Sequence, residues 1–139
     1  MPVNKNERIL VYTNLLFLIP IIIGLVNRHI NITLLLGVFV VFSTLYHLSR
    51  KPGAEWWWRT VGRSPVQTFL LISEIALAIV LAIWSIAILL QKSSWLFGIA
   101  FVLFVPSFVM FLSTNYKRYI LYHSIWHIAS AAIVTLVLI

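Results

Sequence analysis

The sequence predicts an all-α, polytopic bundle of about five membrane-spanning helices, and three observations predict it. Mean hydropathy is +1.03, and 62% of the 139 residues are hydrophobic against 9% charged. A soluble domain of this size needs polar residues for its outside, so this much apolar surface belongs in a bilayer. The apolar residues also gather into long runs, near residues 9–26, 30–49, 66–90, 94–112 and 117–138. Spanning the hydrocarbon takes roughly 20 apolar residues as a helix, and the runs lack the period-two alternation of barrel strands. Finally, the basic residues fall at the ends of these runs, the pattern that orients a polytopic chain. A single transmembrane domain over residues 1–139 is expected, since no segment resembles a soluble domain, a repeat or a low-complexity linker.

The elements follow in order. The first run, Ile9 to Val26, comes after Lys5 and Arg8 and contains Pro20. It lacks a small-x-small cleavage site before "NRHIN", so a retained helix is expected and not a signal peptide. "NRHIN" makes a hairpin with His29 as a loop residue. Asn31-Ile32-Thr33 matches a glycosylation sequon there, too close to the bilayer to be used. The second run ends in "FSTLYHLS". The connection "RKPGAEWWWRTVGRSP" sets Trp56, Trp57 and Trp58 beside Arg59, which suits an interfacial anchor with rings at headgroup depth; substrate binding is the alternative. The third run carries Glu74 in "LLISEIALAIV", and "QKSS" turns the chain into the fourth. After "STNYKR" the last run holds "YILYHSIWHIASAAIV", in which Ser130 and Ala131 are expected as close-packing positions. Pro20 and Pro106 fall inside runs and are expected to kink their helices.

Five crossings put the termini on opposite sides. The N-terminal side then collects Lys5, Arg8, Arg50, Lys51, Arg59, Arg63, Lys117 and Arg118, and the other side only Arg28 and Lys92. The bias predicts a cytoplasmic N-terminus and an exoplasmic C-terminus. The net charge of +7 is thus explained by orientation, and the expected partners are membrane lipids and not nucleic acid. With no cysteine in the chain, disulfides and thiolate chemistry are excluded.

Polar residues inside apolar runs mark the candidate site. At a rise of ~1.5 Å per residue, His47 lies about 6 Å in from Lys51, Glu74 about 13 Å in from Pro65, and His123 and His127 about 9 and 15 Å in from Lys117. Ser43 sits one turn deeper than His47 on the same face. The topology therefore gathers all of them in one half of the membrane. His-x-x-x-His on a helix presents two imidazoles one turn apart that can grip one metal ion. A third histidine completes a three-nitrogen site, the usual layout of a catalytic zinc with water in the fourth position. Zinc brings the pKa of its water to roughly 7, and a nearby carboxylate can take the proton. Glu74 is the acidic residue deep inside a run, whereas Glu7 and Glu55 lie in flanks. An ionisable group there costs roughly 2.5–3.5 kcal/mol on insertion scales, so it needs a partner or a function. Taken singly, each residue also fits a plain interhelical hydrogen bond; the joint pattern at one depth is what points to metal.

"FSTLYH" resembles the Ser-x-x-x-His motif, and "HSIWH" the His-x-x-x-His motif, of the CREST superfamily, which holds alkaline ceramidases, progestin and adiponectin receptors and myomaker-like proteins. "YHSIWHIASA" is similar to the last helix of the myomaker-like branch. The resemblance implies a zinc held by His47, His123 and His127, with Ser43 close to the metal. The family pattern has seven helices and an aspartate on its third. This chain contains no aspartate, leaving Glu74 as the acid, and has one helix between that acid and the final histidine pair.

The function expected is a zinc-dependent intramembrane hydrolase of a lipid-like amide or ester, with zinc-bound water as nucleophile and Glu74 and Ser43 serving catalysis. Two alternatives stay open. One is a non-catalytic, myomaker-like membrane protein with a structural metal. The other is a haem-binding electron-transfer protein, which needs histidines facing each other across the ring; His123 and His127 share one helix.

Overall fold

The computed structural model describes residues 5–50, 64–112 and 118–139, the side chains from Glu7 onward. Its elements are α1 (Lys5–Asn14), a 3-10 turn (Leu15–Phe17), α2 (Leu18–Val26), α3 (Ile30–Ser49), α4 (Pro65–Lys92), α5 (Ser94–Leu112) and α6 (Tyr119–Leu138). There are no strands among the described residues. The stretch Glu7–Val26 and helices α3 to α6 make five segments long and apolar enough to cross a membrane. The protein is an all-α integral membrane protein. The Trp56–Trp58 anchor lies outside the described residues.

Local chemistry explains the breaks. Pro20 has no N–H for the carbonyl of Leu16 and crowds it. The 3-10 turn sits over that carbonyl, which receives the N–H of Leu18 instead. The first span therefore changes helix type where a kink is expected. At Pro106, by contrast, α5 runs on unbroken. There the hydroxyl of Ser107 donates to the carbonyls of Leu103 and Phe104, at 2.8 and 2.9 Å. The α2–α3 hairpin closes with Arg28 in the left-handed region (φ 61°), and His29 N–H donates back to Gly24 O at 2.8 Å. Gly24 is required here: a Cβ on it would collide with the Thr33 hydroxyl across the hairpin. Thr33, within the sequon, is buried in the first turn of α3 and donates to His29 O. His29 is half-buried at the N-cap of α3. A capping box opens α4, with Ser64 and Gln67 exchanging hydrogen bonds and Pro65 in the first turn. The single extended residue Ser93 turns α4 into α5.

Helix α3 packs on α4, α5 packs on α6, and the first span lies across both α3 and α6. The distribution of side chains is that of a protein solvated by lipid. Val26, Val102 and Trp95 are among the most exposed residues, whereas Asn14, Ser43, His47 and His127 are at most 1% exposed. Backbone and side-chain polar groups must find partners inside such a bundle, because the hydrocarbon offers none. The apolar core, with Phe17, Leu36, Phe39, Leu81 and Val134, fills the half away from these polar residues.

Hydrogen bonds at the two ends fix the antiparallel order. At one end Arg50 Nη1 donates to the Tyr119 hydroxyl at 2.6 Å, and Gln67 Nε2 donates to the carbonyl of Ser49. At the other end Asn27 Nδ2 donates to Leu138 O at 2.6 Å and Lys92 Nζ to Val137 O at 2.7 Å. The start of α1 and the end of α6 therefore lie at opposite ends of the bundle.

Candidate metal centre

The buried stripe of α3 runs Leu36, Phe39, Ser43, Tyr46 and His47 at three- and four-residue spacing. It thus brings Ser43 and His47 to the bundle interior one turn apart. On α4 the stripe Gln67, Leu70, Leu71, Glu74, Leu81 does the same for Glu74. On α6 it is His123, His127, Ala131 and Val134. The structure brings together all five residues singled out in the sequence. Ligand atoms of His47, Glu74, His123 and His127 all lie within 4.8 Å of one another, and all four side chains are buried. The ring centroids are 5.0 Å apart for His47 and His123, 5.6 Å for His47 and His127, and 4.7 Å for His123 and His127.

Partners around the cluster orient it. Glu74 Oε1 accepts from Ser43 Oγ at 2.6 Å and lies 3.8 Å from His47 Nε2. Asn14 Nδ2 donates to Ser43 Oγ at 3.0 Å. His47 Nδ1 is 2.9 Å from Glu7 Oε2, and the other oxygen of Glu7 is 3.0 Å from Arg50 Nη1. His127 Nδ1 is 2.8 Å from Thr13 Oγ1, whose hydroxyl donates to Leu10 O at 2.9 Å. Two ring nitrogens, His47 Nε2 and His123 Nδ1, are buried with no hydrogen-bond partner among the described residues.

These residues fit a zinc ion. Imidazole nitrogens and a carboxylate oxygen are its usual donors, and tetrahedral bonds of ~2.0–2.2 Å set ligand atoms roughly 3–4 Å apart. The cluster needs only a small contraction to reach that spacing. A buried orphan nitrogen normally costs about 1–3 kcal/mol, and a cation between the rings would satisfy His47 Nε2.

Sequence reasoning missed four contributors from the first span and the end of α3: Glu7, Thr13, Asn14 and Arg50. Glu7, expected as a flank residue, is 3% exposed and inside the bundle, because α1 begins at Lys5 and not at Ile9. A signal was available. Glu7 and Asn14 are seven apart, two helical turns, so they share a face.

An apolar cavity of about 240 Å³ adjoins the cluster on its deeper side. Phe17, Phe39, Leu81, Ala100, Trp126 and Val134 are among its lining residues. Phe17 separates it from the histidines, its ring centroid 6.2 Å from that of His127.

No protein-family model, curated protein or solved structure matches this chain.

Proposed function

We propose that the protein is a zinc-dependent intramembrane hydrolase of a lipid-like amide or ester, with its N-terminus cytoplasmic and its C-terminus exoplasmic. The observation that carries this reading is the convergence of four buried ligand atoms from α3, α4 and α6 within 4.8 Å, two of them on imidazoles, His47 and His123, that each have a nitrogen unpartnered among the described residues. The resemblance of "FSTLYH" and "HSIWH" to the CREST motifs agrees with it. A bound zinc supplies Lewis-acid polarisation of a carbonyl and activation of water at neutral pH.

The chain's own residues do the rest. Glu74 is the proton acceptor, its carboxylate aimed by the bond from Ser43, which Asn14 holds in turn. A substrate's apolar chain lies in the cavity beyond Phe17 and Trp126. Lipids reach the cavity laterally, and the apolar lining keeps bulk water from the reacting carbonyl. The orientation follows from charge. Arg8, Arg50 and Arg118 belong to the end of the bundle nearer the cluster, with Arg28 and Lys92 at the other. In sequence, the connections at 51–63 and 113–117 carry the further basic residues Lys51, Arg59, Arg63 and Lys117.

One observation favours a second reading. Glu74 falls within ligand distance, and a fourth protein ligand closes a zinc site and makes it structural. The protein would then be a non-catalytic membrane component braced by metal. Cobalt substitution of the purified protein, read by visible absorption, with turnover of labelled ceramides and other lipid amides, separates the two. Tetrahedral cobalt that binds an added anion, with turnover of a lipid amide, supports the hydrolase. A closed coordination sphere and no turnover support the brace, and no bound metal sinks both.

A further inference from the structure

We propose that α1 is the positioning helix of the metal centre: Glu7 and Thr13 hold His47 and His127 in the tautomer that protonates Nδ1, so that both Nε2 atoms face the metal position. The proposal rests on the metal reading above and concerns residues that none of the motifs contains.

The hydrogen-bond donors decide the tautomers. A carboxylate paired with a guanidinium accepts and does not donate. Glu7 is held in this way by Arg50, at 3.0 Å through Oε1. Its other oxygen, 2.9 Å from His47 Nδ1, therefore accepts a proton that the imidazole must carry. In a neutral imidazole the remaining nitrogen is then a lone pair. That atom, His47 Nε2, is the one left without a hydrogen bond and 3.8 Å from Glu74 Oε1. The same reasoning applies six residues further along α1. The hydroxyl proton of Thr13 goes to Leu10 O at 2.9 Å, so its oxygen is left to accept from His127 Nδ1 at 2.8 Å. One helix thus sets the lone pairs of ligands on two others.

Several details mark this as more than an ion pair that staples helix ends. Glu7 is 3% exposed, so its desolvation has to be offset by both of its partners. Arg50 is itself oriented, lying over the ring of Tyr119 at 5.0 Å and donating to its hydroxyl. A carboxylate behind a ligating histidine fixes ring orientation and raises ligand basicity, and losing it typically costs 10–100-fold in metal affinity.

The test uses the full-length protein in detergent with zinc and cobalt as probes, and the variants Glu7→Ala, Glu7→Gln and Thr13→Val, with Tyr12→Phe on the exposed face of α1 as control. Two quantities are read: metal affinity by chelator competition, and the imidazole tautomers of the metal-free protein by ¹⁵N NMR. We expect affinity to fall about 10–100-fold in Glu7→Ala, less in Glu7→Gln, which keeps an acceptor oxygen, and measurably in Thr13→Val. The Nδ1–H form of His47 should give way to a mixture in Glu7→Ala, and that of His127 in Thr13→Val. Should Glu7→Ala not fold, Glu7→Gln and Thr13→Val decide. Unchanged tautomers, with affinities within about threefold of the parent and so short of the outer-shell effect, overturn the proposal and leave Glu7 a structural partner of Arg50. A parent that binds neither zinc nor cobalt overturns the metal reading instead, and the tautomers of the metal-free protein then still show whether α1 sets them.

Discussion

Replacing Glu74 with glutamine asks the most of the proposed mechanism. The substitution changes the charge and little else. Glutamine has nearly the same volume, and its amide oxygen can still accept from Ser43 Oγ, now 2.6 Å from Glu74 Oε1. The amide cannot take a proton. A positioned general base contributes about 10²–10⁴-fold to rate, so turnover should fall by that factor, or roughly 3–5 kcal/mol of barrier. The bond from Ser43 loses its charge assistance, worth about 1.5–3 kcal/mol to a charged acceptor against about 1 to a neutral one. That loss is partly offset because no carboxylate need be buried, so melting should move little. The assay is hydrolysis of labelled lipid amides in detergent or bilayer discs, with zinc per chain and melting measured on the same sample. Full zinc, a parent-like melt and a rate down by at least about 10² support a base. Turnover within about tenfold of the parent refutes it, and zinc binding weakened in step with activity makes Glu74 a ligand instead.

Other outcomes follow from the same geometry. His127→Ala should lower zinc from about one ion per chain to near none by elemental analysis, since an imidazole nitrogen from α6 is removed; unchanged zinc would dismiss the ligand set. A reporter fused after Ile139 should read as exoplasmic, and a cytoplasmic reading would reverse the proposed orientation. Gly24→Val should lower the melting midpoint, because a Cβ there meets the Thr33 hydroxyl across the α2–α3 hairpin; overpacking of this kind costs about 1–3 kcal/mol. A parent-like melt would mean that the two helices are free to part.

The fold was legible because bilayer thickness sets run length, and run length counts spans. Depth was legible for the same reason: each of Ser43, His47, Glu74, His123 and His127 has a sequence distance from a polar end, and a helix converts that to ångströms. Depth is one coordinate of three. Which helices face each other, and how each is rotated, depends on packing that periodicity does not encode. Glu7 shows the limit. A glutamate two residues from a lysine looks like solvated flank, and only His47 on α3 and Arg50 just after that helix give it a buried partner on both oxygens. Asn14 and Thr13 were visible as polar residues in an apolar run, yet asparagine and threonine satisfy themselves in many ways, so type alone assigned them nothing. The 3-10 turn before Pro20 was foreshadowed by the proline, whereas α5 stays helical through Pro106.

The choice between hydrolase and metal brace turns on what lies beside the cluster. A brace needs ligands and no more; packed side chains around it would serve best. Here an apolar cavity of about 240 Å³ adjoins His127 across the ring of Phe17. Its apolar lining suits an apolar chain from the bilayer. Such a chain, packed against Phe17, would bring the polar group it carries toward His127 on the far side of that ring. A lipid amide or ester presents its carbonyl in that way, with its tail in the cavity and its linkage near the histidines and Glu74. Filling the cavity should therefore compete with substrate and leave the metal in place. Phe17→Trp, which enlarges a cavity wall outside the ligand set, should raise KM for long-chain amides while zinc content stays at the parent level. Loss of zinc in that variant, or an unchanged KM across chain lengths, would separate the cavity from the chemistry and return the balance to the brace.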